Sequence, residues 1–304
     1  MSRWVCLGAW VTGLSLLSVD PVDAQIPLGE TPRPCEYEGT CAPWWATEVA
    51  VIGANGLIGG LTAGIWQELR GGSFADGFAR GSLGGVLGYA GKRITTGRFP
   101  AAGLLGRQVA AVGHSVVRNA AEGRGTFSRV ALPLLFLPAR VQLGDWGNDA
   151  RVRVTALPLW YFGYGLLNSR VSLDLGRSLW WGTPVFITDP GYTLAWDGVP
   201  HSALTTVGAV FLDRTTLAWQ TFDAVGAHER VHVIQIDFST LAWGDPGDDW
   251  LERAVPALGS VSRYVAPSVF LTGLLVVQSL LLYEIDYYHR PWEIEAMALD
   301  GDLP

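Results

Sequence analysis

Long stretches of this chain carry almost no charge, and glycine spacing supplies as much pattern as apolar spacing does. From Thr47 an apolar run has Gly56, Gly60 and Gly64 at every fourth position and ends near Leu69. After the turn Arg70-Gly71-Gly72-Ser73, Gly77, Gly81 and Gly85 repeat the same interval. A glycine inside a helix costs about 1 kcal/mol against alanine, so two such series imply a compensating contact. Glycine at i, i+4 and i+8 clears one helix face so that another backbone can approach it. The spacing predicts a glycine-zipper helical hairpin over 47–69 and 73–94, lying in a membrane or packed tightly within the fold. A third helix is expected over 103–122, stopped by Gly123, with His114 as a structural residue inside it.

Between 127 and 212 the period changes to two. Arg151-Val152-Arg153-Val154 and Val171-Ser172-Leu173-Asp174-Leu175 alternate, and turn residues recur at 144–148, 168–169, 189–191 and 197–198. That pattern predicts an antiparallel β meander. From Thr221 to the end the pattern is helical again, so the fold class expected is α+β.

Composition narrows the picture. Of the 304 residues 49% are hydrophobic and 16% charged, with a mean hydropathy of +0.25. An average soluble domain has about 25% charged residues, so disorder is excluded. The formal charge of −7 and the absence of any basic run argue against a nucleic-acid partner. Arg3, the apolar stretch 4–17 and the small residues at 22–24 have the layout of a secretory signal peptide over 1–24, which implies export to the periplasm, cell envelope or medium. Its removal takes away one arginine and two aspartates, leaving −6. Residues 25–46 follow as a Pro-rich linker in which Cys35 and Cys41 are placed to form a small disulfide loop. Beyond it lie a Gly-rich helical region over 47–125, a β region over 126–212 and a helical region over 213–304.

The chemistry concentrates in that last region. His228-Glu229-Arg230-Val231-His232 is an HExxH motif within the helical stretch 223–237. Residues i and i+4 share a helix face, so both imidazoles can address one Zn²⁺ ion. Glu229, one step around, suits a general base acting on a metal-activated water. A catalytic zinc needs a third protein ligand, and Glu293, Glu295 and Asp300 stand on a segment that opens a helix after Pro291. Glu293 and Glu295 are two apart and cannot both face one ion.

At these residues the chain resembles the gluzincin metallopeptidases, which pair an HExxH helix with a glutamate on a later helix. The resemblance covers about the last 85 residues and implies a zincin-like region. It puts Glu293 first, because Glu293 and Ala296 match a Glu-x-x-Ala setting, with Glu295 second. Asp300 is third, since Leu299-Asp300-Gly301 is similar to a motif of intramembrane site-2-type proteases. Met297 stands where some gluzincins have an aspartate that orients a ligand histidine; Asp223, Asp237 and Asp286 are the available substitutes.

Residues 265–283 are free of charge over 19 positions, long enough to span a bilayer. A single crossing there would put His232 and Glu293 on opposite sides, so a helix buried behind the HExxH helix is expected instead. Tyr287, Tyr288 and His289 follow as possible oxyanion donors. The leading expectation is an exported zinc metallohydrolase, a metalloprotease acting on peptide or protein substrates. The alternative is a non-catalytic envelope protein whose glycine-zipper hairpin, residues 47–94, contacts a membrane or a partner, with a structural or vestigial metal site. A di-iron centre would need a second Glu-x-x-His, which the sequence lacks. Val49–Gly59 resembles the nucleotide-binding opening of extended short-chain dehydrogenases, but no βαβ series follows it.

Overall fold

The computed structural model of the chain describes residues 44–144, 149–196, 199–200, 203–214, 219–247, 265–266 and 291–300. The expected signal peptide, most of the linker with Cys35 and Cys41, nearly all of 265–283, and Tyr287, Tyr288 and His289 lie outside the described residues, as does the side chain of Asp300. Three long helices come first: α1 (Trp44–Leu69), α2 (Phe74–Thr95) and α3 (Ala102–Ala121). Ser73 caps α2 by accepting from the Asp76 amide, the hydrogen bond that an N-cap serine makes.

The glycines of α1 and α2 meet other helices of this chain. A Cβ added at Gly59 would lie 2.5 Å from the Gly81 carbonyl oxygen, and one at Gly85 would lie 2.0 Å from that of Asn55. At Gly56 the nearest atom would be 3.4 Å away, an ordinary contact, so Gly59 carries the seam more than Gly56 does. A second seam, not visible in the four-residue series, joins α2 to α3. Gly84, Gly88 and Gly91 of α2 lie against Gly113, His114 and Ala110. Helix α2 thus offers glycine on two faces, which explains how one helix packs closely on two neighbours.

The middle of the chain is mixed where a plain antiparallel meander was expected. Strands β1 (Arg129–Pro133), β2 (Ala139–Gly144) and β3 (Asp149–Thr155) pair antiparallel as the alternation suggests. Then α4 (Ala156–Leu167) and α5 (Leu175–Trp181) interrupt, flanking β4 (Val171–Leu173). The apolar run in α4 is continuous rather than alternating, and Pro158 sits in its first turn, where no helical donor is lost. The alternation read through residue 175 stops at Leu173, because Asp174 caps α5, its side chain accepting from the Arg177 amide at 2.9 Å. Gly182, at φ 69°, ends that helix in the left-handed conformation that favours glycine.

Next come β5 (Val185–Thr188), the short ribbon β6 (Ala195–Trp196) and β7 (Val199–Pro200), then β8 (Ala203–Thr206) and β9 (Ala209–Leu212). The second sheet has the order β4-β5-β9-β8, with β5 and β9 parallel. Strand β8 is its edge. Helix α6 (Trp219–Phe238) runs on into a π-helical segment, Ser239–Gly244, followed by β10 (Val265–Ala266), parallel to β3, and α7 (Pro291–Asp300). The architecture is α+β.

Two apolar clusters fix α6. Trp181, Val185, Val210, Leu212 and Val233 join it to the second sheet; Tyr89, Val231, Ala296 and Leu299 join it to α2 and α7. Polar ties add orientation. Arg230 donates to the Thr95 carbonyl at 2.8 Å, and Arg107 of α3 forms an ion pair with Asp237 at 2.6 Å.

Candidate metal centre

Helical geometry brings the HExxH residues to one face of α6, as the i, i+4 spacing requires. His228 and His232 lie with their Nε2 atoms 3.0 Å apart. Helix α7 supplies the third atom: Glu293 Oε2 is 3.1 Å from His228 Nε2 and 3.2 Å from His232 Nε2. Among the described residues this is the one trio of His, Cys, Asp or Glu able to hold a metal ion. Four ligands at 2.0–2.1 Å in a tetrahedron stand about 3.3 Å from one another, so the three separations are close to those of a zinc site. Two nitrogen atoms and a carboxylate oxygen are also the donors that zinc accepts. The residues present fit the ion.

Burial strengthens the case. Glu293 is only 5% exposed, and a buried carboxylate must be paired. Desolvation alone would raise its pKa, yet the hydrogen bonds from His228 and His232 hold it well below the usual carboxylate range. Burial likewise lowers His232, but the hydrogen bond and charge of Glu293 outweigh it, so this imidazole lies above its ordinary value. The charge of Glu229 adds to that rise, which puts Glu229 within electrostatic reach of His232.

Glu229 itself is 8% exposed and accepts a hydrogen bond from the Thr205 hydroxyl on β8. Thr205 has no sequence signal: it stands on a separate strand, 24 residues away. Gln235 does have one. It lies three residues beyond His232, on the same helix face, and its Oε1 is 2.7 Å from His232 Nδ1. It takes the orienting place for which the sequence offered aspartates. Of those, Asp237 turns to Arg107 instead.

Glu295 is not brought to the trio. It accepts from Lys92 at 2.7 Å and from Asn55 at 2.6 Å. His114, the expected structural residue, is 1% exposed, and its Nδ1 has no hydrogen-bond partner among the described residues. Burial, with the nearby Lys92 charge, pushes it down to about 3.

Compared with protein-family models, with curated proteins and with solved structures, the chain matches none.

Proposed function

We propose that the chain is an exported zinc-dependent metallohydrolase of the gluzincin type, acting on peptides. The observation that carries this reading is the convergence of His228 Nε2, His232 Nε2 and Glu293 Oε2 within 3.0–3.2 Å of one another. These residues would hold the ion, with Glu229 free of the ligand set. Bound zinc would supply a Lewis acid and a water acidified to a pKa of about 7. Glu229 takes the proton of the attacking water and delivers it to the leaving amine. The Thr205 hydroxyl holds one carboxylate oxygen of Glu229, which leaves the other to face the water.

A peptide substrate is favoured over a small ester by β8. Among the described residues this strand pairs only with β9, which makes it an edge strand there. An extended chain can add to such an edge through main-chain hydrogen bonds. The tie from Thr205 to Glu229 places that edge beside the base. Zinc content of the purified protein and of His228→Ala tests the site: about one equivalent in the first and far less in the second. Glu229→Ala is expected to keep the metal and lose peptide hydrolysis. Equal metal content in the protein and in His228→Ala overturns the reading.

A second role for the hairpin over 47–94 is favoured by one observation. The segment Glu48–Leu69 is long and apolar enough to cross a membrane, with 44% of its most apolar window buried. Leu57, Ile58, Leu61, Ile65 and Leu69 are exposed along it. On this reading the glycine zipper joins the helices internally, while the outward stripe contacts an envelope membrane. Co-sedimentation with phospholipid vesicles, lost in Leu61→Asn/Ile65→Asn, tests it.

A further inference from the structure

The Gln235 side chain fixes more than a distance. Its Nε2 faces two groups that can only accept, the Trp292 carbonyl oxygen at 3.1 Å and Glu295 Oε2 at 2.8 Å. The amide is therefore oriented, and its oxygen must be the atom turned to His232 Nδ1 at 2.7 Å. An amide oxygen cannot donate, so Nδ1 carries the hydrogen. With the hydrogen fixed on Nδ1, Nε2 is the nitrogen available to coordinate a metal beside Glu293 and His228.

What keeps Glu295 in place comes from the helical hairpin. Lys92 of α2, the one lysine in the chain, donates to both carboxylate oxygens at 2.7 and 2.8 Å and to Asn55 Oδ1 at 2.8 Å. Asn55 of α1 donates to Glu295 Oε1 at 2.6 Å and to the Val51 carbonyl at 2.9 Å. Lys92 is 6% exposed, and the pair balances in charge. A buried ammonium set against a part-buried carboxylate is strongly held, because losing the carboxylate strands the ammonium.

We infer that Asn55 and Lys92 of the helical hairpin act through Glu295 and Gln235 as a positioning relay that presents His232 Nε2 to the metal. The inference rests on the metal centre proposed above. It makes the hairpin part of that centre, although no hairpin residue is a ligand. It also gives the two α7 glutamates separate work: Glu293 supplies the ligand atom and Glu295 anchors the residue that orients its neighbour. Removing such a support typically weakens metal binding 10–100-fold.

The test measures zinc affinity by competition with a chromophoric chelator, together with the visible spectrum of the cobalt-substituted protein. Gln235→Leu is expected to weaken zinc 10–100-fold and to alter the cobalt bands, while Gly53→Ala leaves both unchanged. Lys92→Met, which touches no ligand, is expected to weaken zinc in the same direction. Gln235→Glu sets two carboxylates face to face and weakens binding; adding Glu295→Gln restores a donor between positions 235 and 295 and recovers affinity. Wild-type affinity in both Gln235→Leu and Lys92→Met overturns the relay but leaves the proposed function standing. A wild-type protein that binds no zinc overturns both. If Gln235→Leu does not fold, the swap decides: a double variant no tighter than Gln235→Glu alone overturns the relay.

Discussion

Gly85→Ala tests the close helix packing and its link to the metal in one experiment. The new Cβ would stand 2.0 Å from the Asn55 carbonyl oxygen and 2.8 Å from the carbon bearing it. An ordinary contact needs about 3.4 Å, so α1 and α2 must separate by more than 1 Å at that point. Overpacking costs about 1–3 kcal/mol, and the upper end applies because the obstacle is backbone and cannot rotate away. Alanine returns up to about 1 kcal/mol in helix propensity, leaving a net loss of about 2 kcal/mol. Gly53→Ala is the internal control: it lies in the same hairpin, but its Cβ would meet nothing within 4 Å. There the propensity gain of about 0.5–1 kcal/mol stands alone. The two variants should differ by about 3 kcal/mol in urea unfolding, or roughly 6–12 °C in Tm for a domain of this size. Asn55 is also the residue that donates to Glu295, so Gly85→Ala should weaken zinc while Gly53→Ala does not. Equal stability of the two variants would refute the packing argument.

Thr205→Val removes the hydroxyl that holds Glu229; zinc content should be unchanged while kcat falls about tenfold or more, read by steady-state kinetics. Asp245 is 1% exposed among Arg118 at 2.8 Å, Arg140, and Arg153 at 3.8 Å. Asp245→Asn strands those cations and should cost about 3–5 kcal/mol in chemical denaturation. Acid should destabilise the metal-free protein in two windows. His114 lies near 3 against 6.5 when unfolded, so as pH falls from 6.5 towards 3 only the unfolded chain takes its proton; stability falls by about 1.4 kcal/mol per pH unit from this group. Burial would raise Asp245, but its arginines lower it from 3.8 to about 2, and its contribution, present above 3.8, is lost as pH falls through 2. Melting curves with a chelator present should lose the first slope in His114→Leu.

What could be read in the sequence was whatever depends on local spacing. The pair His228 and His232 needs only helical geometry, and the hairpin needs only a glycine interval. Features that depend on a distant partner were hidden. The alternation in β3 gives its period but not its inward face: Arg153 is 5% exposed and Val152 50%, because Asp245, beyond the π-helical segment, supplies the counter-charge. The antiparallel meander is broken first by the helix Ala156–Leu167 and again at Asp174, where a side-chain cap turns an alternating run into a helix start. The glycines at 84, 88 and 91 follow a looser 4-and-3 spacing and serve a helix that only the tertiary fold puts beside them. Thr205 and Lys92 reach the site across 24 and 203 residues, through contacts no interval encodes.

The separation of the metal-binding trio has a consequence for the stability of the protein. His232 and Glu293 are 61 residues apart, so an ion held between them closes a loop as a cross-link does, worth about 4 kcal/mol of chain entropy. Helix α7 has ten residues, too few to hold together alone in water. Chelation therefore withdraws a clasp as well as a reagent. Residues 291–300 would then be held only by the packing of Ala296 and Leu299 and by the ties of Glu295 to Lys92 and Asn55. On the proposed function, scarcity of metal would loosen the C-terminal helix as well as empty the site.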